Sequence, residues 1–121
     1  MDKSDLQERM TTFAVRIVKM VDAMPSSVAG LAIARQIVRS GTSPSANYRA
    51  ACLAKSDKDF LNKLKIVEEE LDETCHWLEI IMRSELMKVD RLQSLHQECK
   101  ELLSIVVKSI VTMRARLQTA K

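Results

Sequence analysis

Glu73-Thr74-Cys75-His76 is the stretch of this chain with the most obvious capacity for chemistry. A glutamate three residues before a histidine sets two metal ligands on one helix face, and helical bundles that hold two iron or manganese ions use two such pairs. Only one pair is present. The second histidine, His96, has no glutamate three residues before it, and in the heptad register given below Glu73 and His76 take outward positions. Cys75 beside His76 has the composition of a thiolate–imidazole couple, but adjacent helical residues diverge by about 100° and do not face each other. Cys75 therefore reads as a buried, inert thiol on an apolar seam. A phosphate-binding glycine loop and the G-x-S-x-G elbow of serine hydrolases are both missing. The expectation is a protein that is not an enzyme, with no catalytic residue, no metal and no cofactor.

The second polar group is RSGTSPSANYRAA, residues 39–51. It places small polar residues where an amphipathic stripe should continue. A hairpin turning near Lys55 and Ser56 sets Ser43 opposite Glu68, Arg39 opposite Asp72 and Asn47 opposite Leu64. Glu68 is the odd member of an apolar flank, since Leu61, Cys75 and Met82 hold the equivalent positions one and two heptads away. A carboxylate there is partly desolvated and needs partners. These residues predict a buried network of Arg39, Ser40, Ser43, Asn47, Glu68 and Asp72 with Glu68 as its acceptor, in which removing Glu68 costs about 3 to 5 kcal/mol. Pro44 removes an amide and crowds the carbonyl of Ser40, which predicts a kinked but continuous helix.

The elements that position these residues follow from periodicity. Two glycines and two prolines in 121 residues, with 46% hydrophobic and few aromatic side chains, describe one all-helical domain spanning residues 1–121. Ser4 and Gln7 form a capping box for a first helix bearing Leu6, Met10, Phe13, Ile17, Met20 and Met24, ended by Pro25. Ser26 or Ser27 caps a second, with Leu31, Ala34, Ile37 and Val38 as its apolar members. Ser56 opens a third, whose seam is Phe60, Leu64, Val67, Leu71, Thr74, Leu78 and Ile81. After a connection near Ser84 to Lys88, a fourth carries Leu92, Leu95, Cys99, Leu102, Val106 and Met113. Four such helices with short loops pack as an antiparallel up-down-up-down four-helix bundle.

Apolar residues also stand off the seams: Val15 and Val18 on the first helix, Ile66, Trp77 and Ile80 on the third, Ile105, Val107 and Val111 on the fourth. Several second stripes on a small bundle point to a homo-oligomer interface. The net charge is only +3, yet no acid occurs between Asp22 and Asp57. Arg16, Lys19, Arg35, Arg49, Lys108, Arg114 and Arg116 are candidate contacts to the phosphates of RNA or DNA by charge alone. Trp77, Tyr48, Phe13 and Phe60 are too few to stack bases sequence-specifically. Cys52, Cys75 and Cys99, odd in number and far apart, argue against a disulfide framework or a zinc site and for a reducing cytoplasm. MDKSDLQER opens without an apolar signal core, and no uncharged run nears the roughly 18 residues of a membrane span. A soluble protein with no membrane partner is expected.

Arg39-Ser40-x-Thr42-Ser43-x-x-Ala46-Asn47-Tyr48-Arg49-Ala50-Ala51, followed by Ser56, Asp59-Phe60, Lys63-Leu64, Ile66-Val67-Glu68-Glu69-Glu70, Asp72-Glu73 and Trp77-Leu78-Glu79, resembles the bacterial four-helix-bundle proteins called 23S rRNA intervening-sequence proteins. The resemblance spans about residues 10–118. It implies an up-down bundle assembling into a ring-shaped homopentamer of unestablished role, usually encoded within insertions in ribosomal RNA genes. The accessory variability proteins of diversity-generating retroelements form a related branch, a basic pentameric barrel that engages a reverse transcriptase and nucleic acid; this chain is much less basic. In a pentamer the charge of +3 is multiplied fivefold. The implied partners are copies of the chain itself and RNA or DNA, with a protein encoded nearby as the alternative.

Overall fold

A computed structural model describes residues 1–119. Four helices follow one another: α1 (Lys3–Asp22), α2 (Val28–Cys52), α3 (Asp57–Arg83) and α4 (Val89–Thr119). Each packs on its sequence neighbour and α4 returns to α1, which closes the antiparallel four-helix bundle.

The helix ends follow from local chemistry. Ser27 caps α2 by accepting from the Gly30 amide, and Ser56 caps α3 by accepting from the Asp59 amide. α1 starts earlier than the Ser4–Gln7 box implies. Asp2 is its cap, accepting from the Asp5 amide at 2.8 Å, while the Asp5 carboxylate accepts from the Asp2 amide at 3.2 Å. A carboxylate caps as well as a hydroxyl and gains from the positive end of the helix dipole, so Ser4 falls inside the first turn. The α3–α4 turn closes without a glycine. The Leu86 amide donates to the Ile81 carbonyl and the Glu85 amide to that of Met82, a Schellman arrangement that holds Glu85 at φ 59°.

One continuous cluster fills the centre. The predicted stripes of α1, α3 and α4 are its walls: Met10, Phe13, Ile17, Leu64, Val67, Leu71, Leu78, Ile81, Leu92, Cys99, Leu102 and Val106 are all essentially inaccessible. α2 departs from its expected stripe. Leu31 is exposed, whereas Ile37 is buried and Ile33 packs against the core. Its buried face instead runs through Ile37, Ser40, Gly41, Pro44, Tyr48 and Ala51.

That face explains the small residues. A Cβ on Gly41 would stand 2.8 and 2.9 Å from the two γ-carbons of Ile17, so α2 approaches α1 more closely than any other residue allows. α2 continues through Pro44, which lies buried within it. The missing Pro44 amide leaves the Ser40 carbonyl without its helical donor.

Two substitutions with glycine logic of opposite sign check this reading by chemical denaturation. Gly41→Ala, which gains about 1 kcal/mol in an unobstructed helix, should here destabilise by about 1 to 3 kcal/mol because Ile17 has no room to retreat. Glu85→Gly should stabilise by about 1 kcal/mol, because it relieves a left-handed side-chain-bearing residue.

Candidate functional site

The α2–α3 seam holds the polar residues that the sequence singles out, in a different arrangement from the expected one. Ser40 and Thr74 are both fully buried, with their hydroxyl oxygens 2.9 Å apart. Thr74 also lies 2.8 Å from the Glu70 carbonyl of its own helix. A hydroxyl has one proton. With that of Thr74 on the carbonyl, the Ser40 hydroxyl donates to Thr74, and both groups are satisfied. Thr74 is the polar member of an otherwise apolar seam, and Ser40 is its partner.

The rest of the expected network is not assembled. Arg39 does not meet Asp72; its guanidinium forks onto Glu70 and Glu73. Ser43 and Asn47 bond each other at 2.8 Å, and the Asn47 amide also donates to the Ser43 carbonyl at 3.0 Å. Thr42 and Ser45 donate to the carbonyls of Val38 and Thr42. Thr42, Ser45 and Asn47 thus bond their own helix, the local competition for which these residue types are known, and Ser40 is engaged by Thr74 of α3. Glu68 lies on the opposite flank of α3, in a shallow surface depression with Glu69, Asp72, Leu103 and Val107. Asp72 is exposed.

Glu73 and His76 are not aimed inward. The Glu73 carboxylate accepts from Arg39 and, at 3.1 Å, from the Trp77 indole nitrogen. Burial pushes its pKa up, but those two hydrogen bonds together with the positive charge nearby hold it below the usual carboxylate value. His76 is exposed and tilts against Trp77 with ring centres 5.2 Å apart. Among the described residues no group of three or more histidine, cysteine or acidic side chains is placed to hold a metal ion.

The seven candidate phosphate contacts do not form one patch. Lys19 and Arg35 lie in the half of the bundle that contains the α1–α2 turn; Arg49, Lys108, Arg114 and Arg116 lie towards the opposite end. Arg16 is half-buried and donates to Ser94 across the α1–α4 seam at 3.0 Å. Arg116 stands 3.9 Å from Asp57, and Arg49 shares an open groove between α1 and α2 with Asp5 and Glu8. Five of the eight candidate interface residues are exposed: Val15, Val18, Ile66, Val107 and Val111, from 39% to 61% accessible. Trp77, Ile80 and Ile105 are half-buried, and Trp77 and Ile105 pack on the core.

The family model described as 23S rRNA-intervening sequence protein matches residues 2–108, which take in α1, α2, α3 and most of α4. The chain belongs to this family. A crystal structure of a protein of unknown function from the S23 ribosomal protein family of Bacteroides thetaiotaomicron VPI-5482 is similar to it, with 34% identity, 91% of this chain and 98% of that chain covered, and a TM-score of 0.84. No curated protein matches significantly. The RSGTSPSANYRAA run and the α3 acids lie within the region that the family model matches, whereas Val111, Arg114 and Arg116 lie beyond it.

Two buried contacts, one at the α2–α3 seam and one between α3 and α4, lie outside the expectations from sequence. The Ser40–Thr74 pair was foreshadowed by a threonine on an apolar stripe, which is a legible request for a hydroxyl opposite. The juxtaposition of Cys75 with Cys99 had no such signal, because it depends on the α3–α4 register. The seam yields a contrast measurable by urea denaturation. Thr74→Val should cost about 1 to 3 kcal/mol, since it strips a buried hydroxyl of its partner, while Glu68→Ala should stay within about 0.5 kcal/mol of the parent. Equal costs would return Glu68 to the network.

Proposed function

We propose that the protein acts without catalysis, as a homo-oligomer that associates with nucleic acid through backbone charge. The observation that carries this reading is the set of exposed branched side chains on α1, α3 and α4. Val15, Val18, Ile66, Val107 and Val111 stand outside a core already filled by the seam residues. Such residues scattered singly mean nothing, but paired along helix lines they suit burial against another subunit. The stoichiometry proposed is five, the number that the family resemblance implies.

The nucleic-acid part is supported by charge and by the family's description, which refers to the intervening sequence of 23S rRNA. Arg35 is exposed, lies on a helix without an acidic residue and forms no ion pair among the described residues. Phosphate contact by such groups releases counterions and carries no sequence preference. A fivefold assembly repeats each weak contact around a ring, which raises avidity without new chemistry.

Light scattering tests the assembly and a salt titration tests the binding. The expected particle has about five times the 13.7 kDa mass of one chain, and Val111→Lys should shift it towards the single subunit. Retention of an rRNA fragment at about 50 mM salt should fall steeply as salt rises. Arg35→Ala should reduce the slope of log K against log salt by about 1 for each phosphate that it ceases to neutralise, and Arg116→Ala should do less, because Asp57 already holds that guanidinium. A monodisperse single subunit removes the ring. Failure to retain RNA or DNA at low salt leaves the alternative of a scaffold for a neighbouring-encoded protein, which affinity capture identifies by the protein recovered.

A further inference from the structure

Cys75 on α3 and Cys99 on α4 face each other across the bundle core, with their sulfurs 2.9 Å apart. A disulfide bond measures about 2.05 Å, so closure requires the two atoms to move less than about 1 Å. Both thiols are reduced in this structure. In that state the Cys75 thiol donates to Cys99, and the Cys99 thiol donates to the Leu71 carbonyl at 3.3 Å. Cys99 is fully buried, whereas Cys75 keeps 9% of its surface accessible. The third cysteine, Cys52, ends α2 beside the start of α3. It lies roughly 27 Å from Cys75 along the helix axis, from the rise of 1.5 Å per residue, and cannot compete for either sulfur.

We propose that Cys75 and Cys99 are a reversible oxidation site that cross-links α3 to α4 when the protein meets a small hydroperoxide. The partially accessible thiol reacts first. The Cys75 thiolate attacks one oxygen of hydrogen peroxide, an S–O bond forms, the O–O bond breaks, and hydroxide leaves. Cys75 is then a sulfenic acid, oxidised by two electrons. The Cys99 sulfur attacks the Cys75 sulfur, the S–S bond forms, the S–O bond breaks, and water departs with the proton that Cys99 gives up. Overall, two thiols and one peroxide yield one disulfide and two waters.

The surroundings favour this order of events. Once Cys75 has lost its proton, the Cys99 thiol turns from the Leu71 carbonyl to donate to it. That hydrogen bond holds the Cys75 pKa below its usual value against the opposing effect of burial, and the same hydrogen bond together with burial pushes Cys99 well above it. Cys75 therefore ionises first and Cys99 is kept as the resolving thiol. Only a small oxidant can reach a sulfur so little exposed, which selects a hydroperoxide over a bulky disulfide. In a compartment that keeps thiols reduced, such a bond is transient and reports oxidation.

Peptide mapping of the intact protein tests the proposal without any substitution. After exposure to hydrogen peroxide, blocking of free thiols with iodoacetamide and tryptic digestion, peptides 66–83 and 92–100 should appear joined. The linked mass should be two hydrogens below their sum and should separate on reduction. The unreduced protein should melt about 10 °C higher than the reduced one, from the loop entropy removed from the unfolded chain. Cys52→Ser should keep the link. The proposal is overturned if both cysteines remain open to iodoacetamide in unfolded, peroxide-treated protein, if Cys75 proceeds to a sulfinic acid with Cys99 still free, or if the recovered linkage runs through Cys52 between chains.

Discussion

The bundle depends on how closely α2 lies against both of its neighbours. On one side Gly41 gives Ile17 the space that a methyl group would take, and on the other Ser40 meets Thr74 with no apolar side chain between them. Larger residues at positions 40 and 41 would hold α2 away from α1 and α3, and the cavities left behind would be costly in a core packed to crystal-like density. The two contacts also act together. Gly41 fixes how near the helices come, and the hydroxyl pair fixes their register, because a slip of one turn would leave two buried hydroxyls facing apolar side chains. Residues 39–47, poor as a helix by composition, are therefore a good helix for this position.

Much of the architecture was legible because its signals are periodic. The α1, α3 and α4 stripes and the Ser56 cap appear where spacing puts them, and of the two serines offered as the α2 cap, Ser27 is the one used. A stripe is averaged over many residues, so one unusual member does not spoil it. The polar seam was legible only in part. Arg39 was correctly placed opposite the acids of α3, but one side-chain step from the right ones: Glu70 and Glu73 straddle the position assigned to Asp72. A hairpin register read from sequence is accurate to about one turn, and one turn is the spacing that decides which carboxylate an arginine meets. Glu68 failed for a different reason. Its position on the seam flank predicts buried donors, yet Asn47 bonds its own helix, Ser40 pairs with Thr74, and Arg39 reaches Glu70 and Glu73.

The same distinction separates groups that hold the fold from groups that decorate it. Arg9 bridges α1 to Glu98 and Glu101 of α4 through a half-buried fork, and Arg39 bridges α2 to α3 with its guanidinium largely in water. Exposed pairs of this kind contribute little, because solvent screens them and ordering the side chains costs entropy. They label which helix faces which, whereas the fully buried seam supplies the free energy. Lys3, set 4.5 Å over the Phe60 ring, closes the open end of the bundle in the same secondary way.

The proposed assembly and the proposed phosphate contacts would make competing demands on the outer surface, and helical geometry shows where they would conflict. Lys19 follows Val15 by four residues and Arg114 follows Val111 by three, so each cation shares a helix line with an exposed valine. Burying those lines between subunits would take the ammonium and guanidinium out of water unless the partner supplied an acid, which is unfavourable. Lys19 and Arg114 are thus better suited to the rim of a subunit interface than to phosphate. Arg35 has no such conflict, because α2 carries none of the candidate interface residues. A surface that both assembles and attracts a polyanion is therefore self-consistent only if assembly uses α1, α3 and α4 and leaves the outer face of α2 in solvent. The acid-free composition of that helix is what such a division requires.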